Sequence, residues 1–507
     1  MGKDETLKGA TGNAQRFPTA AVDVIIIGAG VSGIGAACHL QRECPDKSYV
    51  ILEARDAIGG TWDLFRYPGI RSDSDLHTYA YDFKPWYGRP IATADEILAY
   101  LHEVVEEYAI APQIRFGHRV QQAAWSTADA QWTVAATAGD GAVVRFTGNF
   151  LFMCQGYYNH DSGYRPPFPG EETFQGVIVH PQQWPEDLDY TNKTMVVIGS
   201  GATAATIVPA VADRVAHVTQ LQRSPSYYLP VENGVEDATI KELRALAIPD
   251  AWIYEIKRRK SLEQSRIFTE RALHEPGEVK EELLTMTAAL LPDDYDMQTH
   301  LMPRYDPWKE RLCLLPDGDL LKAVAAGKAS LVTDEIERFV EDGILLRSGQ
   351  KLPAEIIVTA TGLELAALGN IPFTVDEQPV CIPDTWTYRG VMLSDLPNLA
   401  WTFGYIRSSW TLRSDLIARF VCRLLQHMDA IGARQCTPRL RPEDVGMSAT
   451  PFIDPTDFAP GYMRRGAARL PKQGDHEPWR NCQDYYAEKD RLAHLDFDDG
   501  VLHFHGS

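Results

Sequence analysis

Two glycine-rich turns constrain the fold of this chain more than any other feature. The first, GAGVSG at 28–33, follows the β-branched run VDVIII, and the second, GSGATA at 199–204, follows MVVI. In each case a helical pattern comes next, and a second strand, YVILEA or HVTQLQ, closes the unit. Such a turn lets the backbone approach a pyrophosphate at the helix N-terminus. The sequence therefore predicts an α/β fold with two Rossmann-like dinucleotide-binding domains and, from the helical pattern between 236 and 291, a helical insertion.

The two units differ in the charge that follows their second strand. Glu53 ends the first, where a carboxylate accepts the ribose hydroxyls of an adenosine. In the second unit Arg223 stands in place of the expected acid, beside Ser224, and a guanidinium there can bind a 2′-phosphate. These residues predict FAD at the first turn and NADPH at the second. The alternatives are a glycine turn without a ligand and an ordinary surface arginine. The turn residues assigned to cofactor binding are Gly28, Gly30, Ser32, Gly33, Gly199, Gly201, Ala202 and Thr203.

A flavoprotein reduced by a nicotinamide must pass its electrons on. A dithiol relay would need a cysteine pair near the flavin, but the segment 59–73 contains no cysteine. This argues against a disulfide reductase and favours molecular oxygen as the acceptor. The eight cysteines include no CxxC pair, and no metal site is predicted.

Composition narrows the classes of partner. The chain has 507 residues and a formal net charge of −20, which argues against nucleic acid or an anionic membrane as the main partner. No run of 18 apolar residues is present, so no transmembrane segment is predicted. The polar N-terminus lacks the apolar core of a signal peptide. These features predict a cytoplasmic protein.

Three further segments carry a resemblance to a known family. GGTW at 59–62, followed by RYPG and Asp73, resembles the flavin-side signature of the type I Baeyer–Villiger monooxygenases, which are class B flavoprotein monooxygenases. The stretch FQGVIVHPQQWP is similar to the linker fingerprint of that family, and WKERLCLLPDGDLLKA to the region of its active-site arginine. The similarity is greatest to the ethionamide-activating branch. The fingerprint residues are Phe174, Gly176, His180 and Trp184.

The resemblance implies a reaction and the residues that perform it. It implies an NADPH- and O2-dependent enzyme that inserts one oxygen atom beside a ketone carbonyl, through a flavin C4a-peroxide, to give an ester or lactone. Arg311 would be the active-site cation, which must stabilise an oxyanion, and Asp73 the carboxylate that orients it. His180 would couple domain motion to cofactor binding, although a purely structural linker histidine is the alternative. The resemblance also assigns Gly60, Thr61, Trp62, Asp73 and Val120 to the cofactor sites.

Two other functions stay open at this point. One is an S- or N-oxygenating monooxygenase on the same scaffold, acting on a sulfide or amine, and the other is a flavoprotein that senses NADPH and oxygen without an organic substrate. One position departs from the family pattern, because many members have a lysine where this chain has Glu310, and that lysine helps to bind the 2′-phosphate.

The predicted domain organisation follows from the order of the motifs. Residues 1–20 are predicted to form a disordered tail, and the last five residues, HFHGS, a flexible one. The predicted domains are a FAD-binding domain at 21–156 and 363–507, an NADPH-binding domain at 157–224 and 311–362, and a helical insertion at 225–310.

Overall fold

The computed structural model describes residues 20–234 and 236–506. The predicted N-terminal tail therefore lies, but for its last residue, outside the described residues. The strands are β1 Ala20–Ile27, β2 Tyr49–Leu52, β3 Ile114–Arg115, β4 Arg119–Ser126, β5 Gln131–Thr137, β6 Val143–Met153, β7 Val177–Val179, β8 Thr194–Ile198, β9 His217–Gln222, β10 Tyr228–Val231, β11 Cys313–Pro316, β12 Ala329–Thr333, β13 Ile336–Val340, β14 Gly343–Leu346, β15 Lys351–Pro353, β16 Ile356–Thr359, β17 Phe373–Val375, β18 Gln378–Pro379, β19 Thr387–Tyr388, β20 Met392–Leu393, β21 Leu399–Trp401, β22 Gln435–Pro438, β23 Thr450–Pro451, β24 Lys472–Gln473 and β25 Leu502–His505.

The helices are α1 Val31–Glu43, α2 Thr61–Leu64, α3 Leu76–Tyr79, α4 Ala94–Glu107, α5 Ala202–Val211, α6 Ala238–Ala245, α7 Asp250–His274, α8 Pro276–Ala288, α9 Met297–His300, α10 Asp319–Ala325, α11 Trp410–Ile431, α12 Gly461–Gly466 and α13 Tyr485–Ala493. One helix follows each glycine turn, α1 between β1 and β2 and α5 between β8 and β9. Four helices, α6 to α9, follow one another in the middle of the chain.

The first sheet is built around β1. This strand pairs in parallel with β2 on one side and β6 on the other, and the main path of the sheet runs β18-β17-β4-β5-β6-β1-β2-β3. Strands β19 to β21 branch from β6. The apolar residues of β1 from Val24 to Ile26 are fully buried, as the β-branched run predicts for a central parallel strand. Helix α1 packs against α11 on one face.

The second sheet has five parallel strands in the order β12-β9-β8-β16-β7. Helix α5 follows the second glycine turn and packs on β8 and β9. Each turn thus lies at the carboxyl end of a central strand, where parallel sheets bind ligands. The predicted α/β fold with two Rossmann-like units is confirmed.

The middle of the chain is mostly helical but not entirely so. Helices α6 to α9 lie within the range 225–310 assigned to an insertion, and that range also contains β10, which pairs in parallel with β11. The long helix α7 contacts α3, and Arg258 Nη1 donates hydrogen bonds to the carbonyls of His77 and Ala80. The insertion is therefore fastened to α3 and the residue that follows it. The domain boundaries themselves stay a prediction.

The C-terminus differs from the expectation of a flexible tail. Strand β25 pairs antiparallel with β22, with Phe504 opposite Cys436. Leu502 is buried at the start of the strand, so pairing and apolar burial both hold the segment in place. The prediction for HFHGS was wrong because five residues give too short a pattern to show that a partner strand exists elsewhere in the chain. Among the described helices, none is long and apolar enough to cross a membrane.

Candidate active site

A cavity of about 880 Å³ lies between the two glycine turns and receives side chains from both sheets. Its volume falls within the range of roughly 300–1,000 Å³ that is typical of ligand sites. Most of the residues predicted for cofactor binding or catalysis line it. They are Gly28, Gly30, Ser32, Glu53, Gly60, Thr61, Trp62, Asp73, Gly199, Gly201, Ala202, Thr203, Arg223, Ser224 and Arg311.

The remaining predicted residues lie outside the cavity wall. Gly33 is buried on α1 behind the first turn. Val120 lies on β4, half-buried against the apolar core of the first sheet. The four fingerprint residues, Phe174, Gly176, His180 and Trp184, lie on and around the edge strand β7. None of these six is among the residues that line the cavity.

The first turn is closely packed against its own helix. A Cβ atom at Gly33 would lie 1.9 Å from the carbonyl oxygen of Gly28, a distance too short for any residue other than glycine. Glycine at this position therefore allows the helix to approach the turn. The second turn has Ala204 at the corresponding position, fully buried, so its helix stands far enough away to accept a methyl group.

Glu53 is held in place by hydrogen bonds within the protein. Its Oε2 accepts a hydrogen bond from the Ala29 N–H at 2.7 Å and its Oε1 accepts one from the Arg55 N–H at 2.9 Å. Burial raises the pKa of the carboxyl, and the two N–H donors act against that rise. The carboxylate oxygens keep lone pairs that ribose hydroxyls can use.

The second turn is more open. Gly199 has φ +139°, and a Cβ atom there would lie 2.4 Å from the carbonyl oxygen of Ala360. A Cβ atom at Gly201 would meet nothing within 4 Å. Arg223, at the end of β9, is exposed and has no hydrogen bond or ion pair to any residue that the structure describes. It is therefore a cation at the wall of the cavity without a hydrogen bond or ion pair among the described residues.

The uncapped helices that follow both turns fit the binding of a dinucleotide. Helices α1 and α5 begin after Gly30 and Gly201, and no side chain of the described chain caps either of them. Their first N–H groups are thus left for an external acceptor, and these N–H groups with the positive end of the helix dipole suit a phosphate. The glycine backbone, the uncapped helices and the flanking Glu53 and Arg223 fit FAD and NADPH.

Asp73 and Arg311 meet in the cavity although they come from distant segments. Arg311 Nη1 lies 3.1 Å from Asp73 Oδ2, and the Arg311 side chain remains 30% exposed. The carboxylate raises the pKa of the guanidinium well above its usual value, so Arg311 is a permanent cation. Its exposed fraction leaves N–H donors free to bind a negatively charged atom in the cavity.

Two tyrosines beside this ion pair are kept protonated. The Tyr157 and Tyr158 hydroxyls are 2.6 Å apart, and burial raises the pKa of both far above the neutral range. Tyr157 stacks on Trp410 at 5.0 Å, and the indole N–H of Trp410 donates to Ser32 Oγ at 2.8 Å. The wall near Arg311 is therefore aromatic and is connected to the first turn.

The fingerprint histidine contacts both segments in which the chain passes between the two sheets, one at Gly163 and the other at Gly362. His180 Nδ1 accepts a hydrogen bond from the Gln182 N–H, so its Nε2–H donates to the carbonyl of Gly362 at 3.2 Å. Burial lowers the pKa of His180, which favours this neutral tautomer. A Cβ atom at Gly163 would lie 1.9 Å from the imidazole ring, so the ring packs directly on the backbone of the first crossing.

Several cavity residues have no signal in the sequence. Tyr157 and Tyr158 follow β6 without a recognisable motif, and Tyr462, Arg464 and Arg465 come from helix α12 near the C-terminus. The motifs that carry the family resemblance end before α12, and its six residues are too few for a periodic pattern. Only the tertiary structure brings them to the site.

Comparison with known proteins agrees with this geometry. A family model described as pyridine nucleotide-disulphide oxidoreductase matches residues 25–233, the part that holds both turns. Among the described residues that line the cavity Cys154 is the single cysteine, so no dithiol lies there. A solved steroid monooxygenase bound to NADP superposes with a TM-score of 0.75 at 22% identity, over 96% of this chain and 100% of that one.

Two relatives are much more similar in sequence. The FAD-containing monooxygenase EthA of Mycolicibacterium smegmatis is 48% identical over 486 residues, which is 95% of this chain and 96% of that protein. The protein of the same name from Mycobacterium tuberculosis is 47% identical over 95% of this chain and 97% of its own length. Identity of this degree over almost the whole of each chain shows that this chain belongs to the family of FAD-containing monooxygenases.

Proposed function

We propose that the chain is an NADPH- and O2-dependent Baeyer–Villiger monooxygenase that converts a ketone to an ester or lactone. The observation that carries the proposal is the Arg311–Asp73 ion pair in the cavity that both turns line. When bound, NADPH supplies a hydride, and FAD supplies the activation of O2. The rest of the reaction depends on side chains of this chain.

Arg311 stabilises the negative charge that develops on the carbonyl oxygen of the ketone. A guanidinium fixed before the reaction needs no reorganisation at that moment, and one such donor contributes about 3–4 kcal/mol. Asp73 holds the guanidinium in position and does not have to touch the substrate. The permanent charge of Arg311 also disfavours protonation of a nearby anionic oxygen, which supports attack on a carbonyl over attack on sulfur or nitrogen.

The aromatic wall accounts for substrate placement. Tyr157, Tyr158, Trp410 and Tyr462 present rings to the cavity that Arg311 lines, and burial keeps the hydroxyls of Tyr157 and Tyr158 protonated by raising their pKa. An apolar ketone packs against the rings while its oxygen points to the cation. The exclusion of water by these rings strengthens the interaction between Arg311 and the oxyanion.

Product analysis tests this proposal. The FAD-loaded protein is incubated with NADPH under 18O2, with a panel of linear ketones, cyclic ketones and aryl sulfides. We expect ketone-dependent NADPH consumption and esters or lactones that carry one 18O atom. Sulfoxides from the sulfides with all ketones recovered unchanged would instead identify a heteroatom oxygenase. NADPH consumption that no compound in the panel alters would support a sensor without an organic substrate.

A further inference from the structure

Helix α12 brings two arginines from the C-terminal region to the cavity that Arg223 also lines. The helix spans Gly461–Gly466, and Arg464 and Arg465 belong to the wall. Arg223 is the residue proposed to bind the 2′-phosphate of NADPH. A phosphate dianion has several acceptor oxygens, so a second cation of the wall can bind it together with Arg223.

Two of the wall arginines already have carboxylate partners. Arg71 forms an ion pair with Asp319, and Arg311 forms one with Asp73. Arg71 is also largely buried, with 13% of its side chain exposed. Arg71 is therefore held by its partner, and Arg311 is the residue proposed to stabilise the oxyanion of the substrate, so neither is assigned to the 2′-phosphate.

Arg465 is engaged in a different way. Its guanidinium lies over the ring of Tyr164, 3.5 Å from the centroid, and its Nη2 donates to the carbonyl of Leu363 at 3.4 Å. A guanidinium stacked on an aromatic ring is held in place by that contact. Arg465 is therefore held against Tyr164 and Leu363.

The lysine nearest to the altered family position is also unavailable. Lys309 precedes Glu310, but its Nζ donates to the carbonyl of Thr456 at 2.9 Å, and Lys309 is not among the residues that line the cavity. A shift of the missing lysine by one position therefore does not restore the phosphate contact.

Arg464 is the remaining arginine of the wall. It lies beside Glu310, the position at which many family members have a lysine. Its Nη2 lies 3.7 Å from Glu310 Oε1, and 56% of its side chain is exposed. The ion pair is long and half-solvated, so it holds Arg464 weakly. Burial raises the pKa of Glu310, and the charges of Arg464 and Arg223 act against that rise. The same carboxylate thus feels both guanidiniums.

We infer that Arg464 is the second cation of the 2′-phosphate subsite and, with Arg223, replaces the lysine that Glu310 has displaced. The carboxylate of Glu310 keeps Arg464 at the wall of the cavity. The inference rests on the proposed use of NADPH. The ligand chemistry is a ribose 2′-phosphate, which NADP+ carries and NAD+ lacks.

Cofactor binding, measured without turnover, tests the inference. The oxidised FAD-loaded protein is titrated with NADP+ and with NAD+ by isothermal calorimetry at low ionic strength. We expect Arg464→Ala to weaken NADP+ about tenfold, because a charge-assisted contact of a half-exposed group is lost. The affinity for NAD+ should change less than about twofold, and Arg464→Lys should recover part of the loss.

Lys309→Ala is the matched control, since it removes a neighbouring cation that points away from the cavity. It should leave the ratio of NADP+ to NAD+ affinity unchanged. If Arg464→Ala keeps the wild-type ratio, or weakens both nucleotides equally, the inference is wrong even though NADPH use stands. If the wild-type protein itself binds NADP+ no better than NAD+, the proposed use of NADPH fails first, and that result is visible before any variant is made.

Discussion

The two glycine turns have the same strand–turn–helix arrangement, but the residues of the first are more buried and more hydrogen-bonded than those of the second. In the first unit Glu53 is buried, accepts two backbone hydrogen bonds and follows a turn packed tightly by Gly33. In the second, Arg223 is exposed and unpaired within the described chain, and the turn is open at Gly201. The first site is therefore built into the folded core, whereas the second depends on surface charge. A tightly held cofactor suits the first site, and a cosubstrate that comes and goes suits the second.

The largest expected effect is on the ion pair that joins the two halves of the site. Arg311→Ala should lower ester formation about a hundredfold or more, because a fixed oxyanion donor contributes about 3–4 kcal/mol. Reduction of FAD by NADPH should survive, since that step places no negative charge on the substrate. Stopped-flow absorbance separates the two steps. Asp73→Ala should show a weaker form of the same defect, and ester formation at the parent rate in the Arg311 variant would contradict the assignment.

The helices after the two turns should respond differently to pH. On α1, His39 is fully buried between Glu43 and Asp415, whereas the α5 sequence ATAATIVPAV has no ionisable residue. Burial disfavours the charged imidazole, but hydrogen bonds with Asp415 and Glu43 outweigh it and raise the pKa to about 9. Because the pKa of His39 is higher in the folded state than its unfolded value near 6.5, the imidazolium stabilises the fold by roughly 3 kcal/mol at pH values below 6.5. This stabilisation is lost as the pH rises through about 9.

The measurement is the temperature of FAD release, followed by flavin fluorescence, between pH 6 and pH 10. His39→Gln should reduce the difference between the FAD-release temperatures at neutral and alkaline pH. Parallel curves for the two proteins would show that His39 does not titrate in this window. His39, Asp82 and Asp415 have the spacing of metal ligands, but both imidazole nitrogens of His39 lie within hydrogen-bond distance of carboxylates.

The close packing of the first turn should make it intolerant of a single methyl group. Gly33→Ala should destabilise the protein by about 1–3 kcal/mol and lower the FAD content, because the new Cβ forces α1 away from Gly28. Ala204→Gly, at the matching position of the second turn, should cost only about 1 kcal/mol and leave FAD content unchanged. Tm and the flavin-to-protein absorbance ratio report both effects. Full FAD occupancy in the Gly33 variant would remove the distinction between the turns.

The smallest expected effect compares the two charged residues by stability alone. Glu53→Gln should lower Tm, since the amide cannot accept from both the Ala29 and Arg55 N–H groups without placing two donors together. Arg223→Ala should leave the Tm of the FAD-loaded protein without NADP+ nearly unchanged, because Arg223 has no hydrogen bond or ion pair to a described residue. Calorimetry of the FAD-loaded proteins measures both. Equal shifts would mean that the second site is as firmly built as the first.

Local sequence was sufficient for the nucleotide units because each is continuous in the chain. Strand, glycine turn and helix follow one another within about 30 residues, and their periodicity does not depend on distant partners. The sequence therefore determined the fold class, the two turns and the opposite charges of Glu53 and Arg223. The roles assigned to these side chains in cofactor binding stay predictions until the variants are measured.

The tertiary structure decided the contacts between segments that are far apart in the chain. It placed Asp73 beside Arg311, turned Lys309 towards Thr456, brought Arg464 to Glu310 and paired the last strand with β22. Such contacts depend on how whole sheets and helices pack, and no local pattern specifies which charged side chain will meet which. For this protein the sequence by itself determined the two glycine turns and the charges that flank them, and only the folded chain determined which other charged side chains lie around them.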